Sequence, residues 1–397
     1  IIGSEGSIFN LDVVVASPEN LDIAVANMNQ AGVIAVIGPE STNNILSSMR
    51  QLQQLTVPVF TPALGDTIML QDITGRIFRS RAQNIVQGRA LADYLISELN
   101  VRTITTIQLD IESTANIIGL STAFSAYRIA PSNIFYDETT DNLDILIRSI
   151  IQSSPHATAI FGVPSTAVQV YNRLKSAGYA GHIIYNQATH PDFVNFVPST
   201  QLEGIINATT WSPSAHDEVS RDFLYAYSKA FGKLPNAVNA ASYDAVQLIA
   251  QATSRPGELT NNLLNIQGFQ GVQGVLNPAQ LSQGETSTNI MITRLNQFGT
   301  PNVVARYANG SSIIEDMPDI TINTPTPMPT PTTAPTATPD GFSATIKSAV
   351  QNIRSGPSID FDILGQLTAG TQVRVIGATR DFSWLVISYR GQQGWLA

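Results

Sequence analysis

The chain has 397 residues, of which 43% are hydrophobic and 13% charged, so it has enough apolar material for a folded core. Its 30 acidic against 21 basic residues give a formal net charge of −9, which argues against nucleic acid as a partner. The absence of cysteine excludes disulfides, thiol catalysis and thiolate metal sites. Apolar runs such as "VIAVIG" at 33–38 are too short to cross a bilayer.

Short β-branched runs alternate with amphipathic stretches along the first part of the chain. Strands are predicted at 11–15, 33–37, 57–60, 103–108, 133–136, 157–161 and 182–185. Helices are predicted at 17–31, 84–99, 142–153, 166–177 and 217–231. The first helix has Ser17 as its N-cap and ends at Gly32. This alternation predicts an α/β architecture of parallel sheets with helices on both faces.

Residues 1–318 are too many for one parallel sheet of five or six strands, so the pattern favours two lobes. In such folds, a ligand binds at the carboxyl ends of the strands, and with two lobes it lies between them. Family resemblance, described below, places a strand and helix before the first predicted strand. We therefore expect the first βα unit to be missing from this sequence.

The segment "TPTPMPTPTTAPTATP" at 324–339 alternates threonine with proline. Proline fixes φ and removes a backbone donor, so the run fits neither a helix interior nor a central strand. We predict a linker at 319–340, in which sixteen residues of polyproline geometry reach roughly 50 Å. Thr/Pro tracts of this kind are common outside cells, which favours an extracytoplasmic location.

Residues 341–397 change character, because alternating apolar and polar runs are cut by turns at Ala369-Gly370 and Arg390-Gly391. This pattern predicts a small all-β barrel. The motifs "NIRSGPS", "ILGQLTAGTQVRVIG", "WLVIS" and "GQQGWLA" resemble the bacterial SH3-like domain. The resemblance implies association with the cell wall or envelope, and a C-terminal truncation of the barrel. Trp384 and Trp395 are interpreted as core or groove-wall residues, with ligand stacking as the alternative.

Five segments of the large part share a resemblance to one family, the type I periplasmic binding proteins. The most similar members are the branched-chain amino-acid receptors of ABC transporters. The segments include "AVIGPESTNN" and "ASYDAVQLIAQA", and they cover 35–63, 77–95, 170–188, 241–252 and 268–279. The resemblance implies two α/β lobes joined by three crossovers that close on a small ligand.

The resemblance also implies where a ligand carboxylate would bind. The family holds it with a hydroxyl and backbone amides after the "IGP" turn, where this chain has Ser41 and Thr42. These two residues could equally be helix caps without ligand contact. The family has a second hydroxyl in the next loop, but this chain has Gly65 there, after Ala63 and Leu64. One of the groups that bind the ligand carboxylate in the family is therefore absent here.

Two acidic residues bind the ligand ammonium in the family, and the matching positions here are Asn84 and Gln187. Both are amides, and a buried ammonium without an anionic partner is costly. We therefore expect a neutral or anionic ligand without a free ammonium. An alternative is that the alignment is displaced and that Asp66, Asp110 or Glu112 supplies the acid.

The family's ligand-contacting tyrosines match positions near Ser113 or Thr114 and near Val163 or Pro164. The second lobe is therefore predicted to offer small or aliphatic side chains where the family offers aromatic rings. No cofactor is predicted for the site.

Proteins with SH3-like barrels include wall-cleaving enzymes, so an enzyme has to be considered. The sequence has no cysteine nucleophile, no His-Glu-x-x-His motif and no Gly-x-Ser-x-Gly elbow, which argues against catalysis. His190 and His216 lie in "HPD" and "HDE", which are typical of loops and helix caps. Two functions remain: a solute receptor for an ABC permease, or a surface sensor or adhesion module with a diverged cleft.

Overall fold

A computed structural model describes residues 20–282, 284–308, 311–313, 342–347, 349–354, 363–378, 384–389 and 392–396. The chain forms two compact units, 1–316 and 317–397. Four sequence predictions lie outside the described residues: the strand at 11–15, the Ser17 cap, the linker at 319–340 and the turn at Arg390-Gly391. Within the described part, no helix is both long and apolar enough to span a membrane.

The helices of the first unit are α1 Leu21–Ala31, α2 Thr42–Ser47, α3 Met49–Leu52, α4 Ile68–Gln71, α5 Asn84–Ser97, α6 Thr114–Ala126, α7 Leu143–Ser153, α8 Pro164–Ser176, α9 Pro191–Val194, α10 Glu218–Phe231, α11 Ala237–Thr253 and α12 Leu259–Leu264. Its strands are β1 Val36–Ile37, β2 Val59–Thr61, β3 Ile77–Arg79, β4 Ile104–Gln108, β5 Ser132–Phe135, β6 Ala157–Phe161, β7 His182–Tyr185, β8 Ile206–Thr209, β9 Phe269–Gly271, β10 Gly274–Leu276, β11 Ile290–Leu295, β12 Pro301–Ala308 and β13 Ser311–Ile313.

The first lobe is built on the parallel sheet β1-β2-β3. Successive strand residues point to opposite faces, so Val59 and Ile77 pack under α1 to α4, whereas Phe60 and Phe78 pack under α11 and α12. The two phenylalanine rings stack with centroids 5.1 Å apart. Both faces of this sheet are therefore covered, as the sequence predicts.

The second lobe is built on a sheet of order β13-β12-β11-β8-β7-β6-β4-β5. Helices α5 and α6 cover one face, and α7, α8 and α9 cover the other. The strands from β4 to β8 pair in parallel, but β11, β12 and β13 are antiparallel. The predicted parallel pairing is thus present from β4 to β8. Strands β11 and β12 are antiparallel because a tight turn at Asn296–Thr300 joins them, and such turns connect only antiparallel strands.

The predicted elements agree best where the pattern is longest. Strands β6 and β7 have the predicted limits, and α1 ends at Gly32, whose φ of +67° is left-handed. The pattern does not predict β3 as a strand, since three residues are too few for alternation to show. The α/β fold class is nevertheless confirmed.

The chain passes between the two sheets three times, after β3, after β8 and before β11. The first and third crossovers are bonded directly, because Thr286 Oγ1 donates to the Arg79 carbonyl at 2.7 Å. The hairpin β9–β10 adds a further tie, in which Gln273 Nε2 donates to the Ser80 carbonyl at 2.9 Å. These bonds hold the first crossover against the third crossover and the β9–β10 hairpin.

A buried ion pair lies beside the crossovers. Arg79 is fully buried, and its Nε is 3.2 Å from Glu285 Oε1. Its Nη1 donates to the Gly65 carbonyl at 2.7 Å. Burial raises the pKa of Glu285, and the charge of Arg79 opposes the rise. Because each charge needs the other away from water, removal of one partner leaves an uncompensated charge in the core.

The second unit is all β, as predicted. Its strands are β14 Phe342–Thr345, β15 Val350–Arg354, β16 Ile363–Thr368, β17 Gln372–Ala378, β18 Leu385–Tyr389 and β19 Gln392–Leu396, in the order β14-β17-β18-β19-β15-β16. Its small core comprises Ile346, Ile353, Ile387 and Leu396. The predicted turn at Ala369-Gly370 is present, whereas Arg390-Gly391 lies outside the described residues. Trp384 and Trp395 are both half-buried.

Glu285→Gln is expected to lower the free energy of unfolding by about 3 kcal/mol, because it leaves Arg79 buried without an anionic partner. The matched control is Asp144→Asn, which breaks the Arg173–Asp144 pair on the surface, where the two side chains are 53% and 57% exposed. That change should cost less than about 1 kcal/mol. Urea unfolding measures both, and equal losses in the two variants would contradict the role given to the buried pair.

Candidate ligand-binding site

The loop before α2 meets the loop after β2 at the carboxyl edge of the first sheet. Thr61 joins them, since its Oγ1 donates to the Pro39 carbonyl at 2.6 Å and accepts from the Ala63 amide at 3.1 Å. Ser41 is the N-cap of α2, and its Oγ accepts from the Asn44 amide at 3.1 Å. The capping interpretation therefore holds for Ser41, whose hydroxyl can still donate a hydrogen bond.

Thr42 and Gly65 are in direct contact. The Thr42 Oγ1 accepts from the Gly65 amide at 3.1 Å. A β-carbon on residue 65 would lie 2.3 Å from Thr42 Cγ2, so the threonine side chain fills the space that a larger residue at 65 would need. A glycine at position 65 thus has a steric reason in this chain.

Asn84 is the first residue of α5, and its backbone N–H donates to the Leu64 carbonyl at 3.1 Å. The residue is buried, with 8% of its surface exposed. Within the described residues, its side-chain amide has no hydrogen-bond partner, so it is available to a ligand. Sequence reasoning therefore places Ser41, Thr42, Ala63, Leu64, Gly65 and Asn84 in one neighbourhood, and the structure brings them together.

Asp66, one of the alternative acids, lies in the loop before α4, and its carboxylate contacts the first turn of α5. Its Oδ1 accepts from the Ile85 amide at 3.3 Å. Burial raises the pKa of Asp66, and the Ile85 hydrogen bond and the charges of Arg79 and Arg89 oppose this rise. The carboxylate near Asn84 is thus offset by two neighbouring cations.

The predicted residues of the second lobe gather around Gly162, at the carboxyl end of β6. Gln187 Nε2 donates to the Gly162 carbonyl at 3.0 Å, and Asn186 Oδ1 accepts from the Gly162 amide at 3.2 Å. Val163 follows as the N-cap of α8, and Pro164 is the first residue of that helix. Gln187 retains its carbonyl oxygen as an acceptor, and Val163 is 43% exposed.

Ser113 and Thr114 are occupied by local hydrogen bonds. Ser113 is buried, and its Oγ donates to Asp110 Oδ1 at 2.7 Å. Thr114 Oγ1 donates to the Ile111 carbonyl and accepts from Gln108 Nε2. The alternative acid Asp110 thus caps the turn before α6, while Glu112 is exposed.

Three further carboxamides line a small recess in the second lobe, and the sequence analysis does not include them. Gln87, Asn116 and Asn186 form its polar rim, with Phe161 and Ala208 among its apolar walls. A signal for one of them exists in the sequence, because positions 84 and 87 are one turn apart on the same face of α5.

Arg81 also lies outside the set of residues predicted from the sequence. It lies two residues after β3, where its Nε donates to Thr210 Oγ1 at 3.2 Å and its Nη1 reaches the Pro62 carbonyl at 3.5 Å. Burial lowers the pKa of Arg81 to about 10, and the charge of Glu40 opposes this shift. The guanidinium is therefore charged at neutral pH, between the Pro62 loop and the second crossover.

The two histidine motifs serve helix caps. His190 Nδ1 accepts from the Asp192 amide at the start of α9, and Asp217, which follows His216, accepts from the Ser220 amide at the start of α10. These contacts agree with the cap interpretation of "HPD" and "HDE".

Two sheets with their carboxyl edges at three bonded crossovers, and polar groups gathered at those edges, define a two-lobed solute-binding protein. A family model described as "Periplasmic binding protein" matches residues 15–308, and one described as "Bacterial SH3 domain" matches 348–397. The chain belongs to the periplasmic binding protein family and carries a bacterial SH3 domain. Membership in this family implies an extracytoplasmic location.

Solved structures support the same fold. A leucine-binding protein from Thermotoga maritima is 19% identical with a TM-score of 0.63, and the match covers 74% of this chain and 85% of that one. A branched-chain amino acid transporter substrate-binding protein from Streptococcus pneumoniae, in complex with isoleucine, is 18% identical with a TM-score of 0.62 over 75% and 85%. A solute-binding protein from R. palustris, in complex with benzoate, is 14% identical with a TM-score of 0.60 over 76% and 84%. None of the curated proteins compared with this chain matches it significantly.

Gly65→Ala is expected to lower the free energy of unfolding by about 1–3 kcal/mol, because the new methyl group meets Thr42 Cγ2. Thr42→Ser removes that carbon and keeps the hydroxyl. In the double variant the loss from Gly65→Ala should therefore be smaller than in the natural background. A double-mutant cycle by urea unfolding measures this coupling, and additive losses would show that the two side chains do not compete for the same space.

Proposed function

We propose that this protein captures a small neutral or anionic ligand, without a free ammonium, in the cleft between its lobes and delivers it to an ABC permease. The SH3 domain associates the protein with the cell wall or envelope. The ligand-binding residues are those predicted from the sequence: Ser41, Thr42, Ala63, Leu64, Gly65, Asn84, Ser113, Thr114, Val163, Pro164 and Gln187.

The observation that carries the proposal is the pair of amides at the positions where the family binds an ammonium. Asn84 is buried, and its amide has no partner among the described residues. Gln187 uses one of its two amide N–H donors on the Gly162 carbonyl and keeps its own carbonyl oxygen as an acceptor. Neither carries a charge that could offset a desolvated ammonium. A carbonyl, amide or hydroxyl group of the ligand fits both.

The remaining residues give the cleft its polarity. Thr42 can donate its hydroxyl hydrogen to a ligand oxygen while it accepts from the Gly65 amide. Leu64, Val163 and Pro164 supply apolar surface, which suits a ligand with a small aliphatic or aromatic body. The benzoate-bound relative shows that this fold accommodates an acid that has no ammonium.

The alternative function is a surface sensor or adhesion module whose cleft does not serve transport. The SH3 domain favours it, since retention at the wall is compatible with sensing. The two functions differ in whether ligand uptake by cells depends on the protein.

Restoring both acids, Asn84→Asp with Gln187→Glu, is expected to raise the affinity for leucine or valine at least tenfold, an approximate value for one added charge pair in a desolvated cleft. Isothermal calorimetry measures it. The matched control adds two carboxylates at exposed positions, Gln30→Glu with Gln54→Glu, and should leave affinity unchanged. Micromolar binding of leucine by the unmodified chain would refute the assignment of the two amides.

Deleting residues 341–397 is expected to shift the protein from the cell-wall fraction to the medium, because the SH3 domain supplies the wall contact. Fractionation followed by immunoblotting measures the distribution. Ligand binding by the first unit serves as the control for folding. If the distribution is unchanged, the SH3 domain does not retain the protein.

A further inference from the structure

We propose that Arg81 binds a carboxylate of the ligand and sets the charge preference of the cleft, so that the ligand is a small monocarboxylic acid. This inference rests on the proposed function, which by itself leaves neutral ligands equally acceptable. It concerns a residue outside the set predicted from the sequence.

Two arginines, one at the end of β3 and one just after it, differ in whether they have an acidic partner. Arg79 is fully buried and paired with Glu285 at 3.2 Å. Arg81 is partly buried, yet within the described residues no carboxylate lies within 4.0 Å of its guanidinium. Arginine is seldom removed from water without a partner, because the lost hydration is costly. The anionic partner of Arg81 is therefore to be sought in the ligand.

The guanidinium of Arg81 lies beside residues that are predicted to bind the ligand. It contacts the Pro62 carbonyl, which directly precedes the loop residues Ala63 and Leu64, and it contacts Thr210 on the second crossover. Arg81 also precedes Asn84 by three residues. The charge thus lies at the base of the cleft, between residues that sequence reasoning assigns to the ligand.

The guanidinium of Arg81 has N–H donors that are not used within the described residues. A guanidinium has five N–H donors in a planar fork, and the hydrogen bonds to Thr210 and Pro62 use two. The remaining donors can meet both oxygens of a carboxylate. The pKa of Arg81, about 10, keeps this fork charged at neutral pH.

A neighbouring acid limits the charge of the ligand. Glu40 acts on Arg81 from the turn before α2. A second negative charge on the ligand, as in the dianion of inorganic phosphate, would meet repulsion from Glu40 while Arg81 supplies one positive charge. A ligand with one carboxylate matches the single guanidinium.

The experiment compares benzoate with benzamide and isovalerate with isovaleramide, pairs of similar shape that differ in charge, with leucine and inorganic phosphate as further probes. The full 397-residue chain is used for calorimetry. The natural protein should bind at least one acid about tenfold or more tighter than its amide, and should bind phosphate weakly. Arg81→Gln should weaken binding of that acid at least about thirtyfold and change binding of its amide less than about threefold.

Arg81→Lys should keep part of the preference for the acid over its amide, since it keeps the charge and loses the planar fork of donors. The control Arg50→Gln removes one positive charge from an exposed position on α3 and should leave the affinity for both ligands unchanged. If Arg81→Gln lowers the affinity for the acid and for its amide equally, Arg81 has only a structural role and the proposal is overturned. The proposal is also overturned if the natural protein binds phosphate as tightly as the acid.

The outcomes separate this proposal from the proposed function. If leucine binds in the micromolar range and Arg81→Gln abolishes it, the exclusion of an ammonium fails and the role of Arg81 stands. If an amide binds as tightly as its acid, the role of Arg81 fails and the proposed function stands. If none of the probes binds, both fail.

Discussion

The guanidinium of Arg79 is the group on which the first lobe and its crossovers depend. It is removed from water, and a charge in that position requires a counter-charge and acceptors. Glu285 supplies the counter-charge, and the Gly65 carbonyl supplies an acceptor. The backbone of the same residue receives a hydrogen bond from Thr286. One side chain and its peptide thus join β3, the third crossover and the loop that forms the candidate site.

This arrangement has consequences for the ligand-binding loops. Because Arg79 holds the Gly65 carbonyl, the Gly65 amide faces Thr42 and donates to its hydroxyl. Contact between residues 42 and 65 then leaves no room for a side chain at position 65. The absence of a side chain at position 65 is therefore coupled to the packing of Thr42.

The second lobe uses a different principle. Its polar groups are oriented by backbone atoms of Gly162, which bonds Gln187 and Asn186, and by Asp110, which caps Ser113. These groups are mostly uncharged donors and acceptors. In the site that we propose, the first lobe and its crossovers supply the charged contact, and the second lobe supplies neutral hydrogen bonds and apolar surface.

Much of this protein follows from local pattern. Alternation in "ATAIF" and "HIIY" places β6 and β7, the αL glycine at 32 ends α1, and the threonine and proline run predicts a boundary between two domains. These signals are local because the side-chain pattern of a strand and the cap of a helix depend on neighbours in sequence. Asn84 and Gln187 are also predicted as site residues from the sequence, since the resemblance aligns them with acids.

Other features depend on partners far away in the chain. Arg79 and Arg81 are two residues apart and look alike in sequence, yet Arg79 pairs with Glu285, 206 positions later, while Arg81 donates to Thr210. The hydroxyl of Thr114 accepts from Gln108 Nε2 and donates to the Ile111 carbonyl, and neither bond is predicted from the sequence. The antiparallel strands β11 to β13 join a sheet whose other members come much earlier. Hydrogen bonding and desolvation act between neighbours in space, and only the tertiary fold specifies those neighbours.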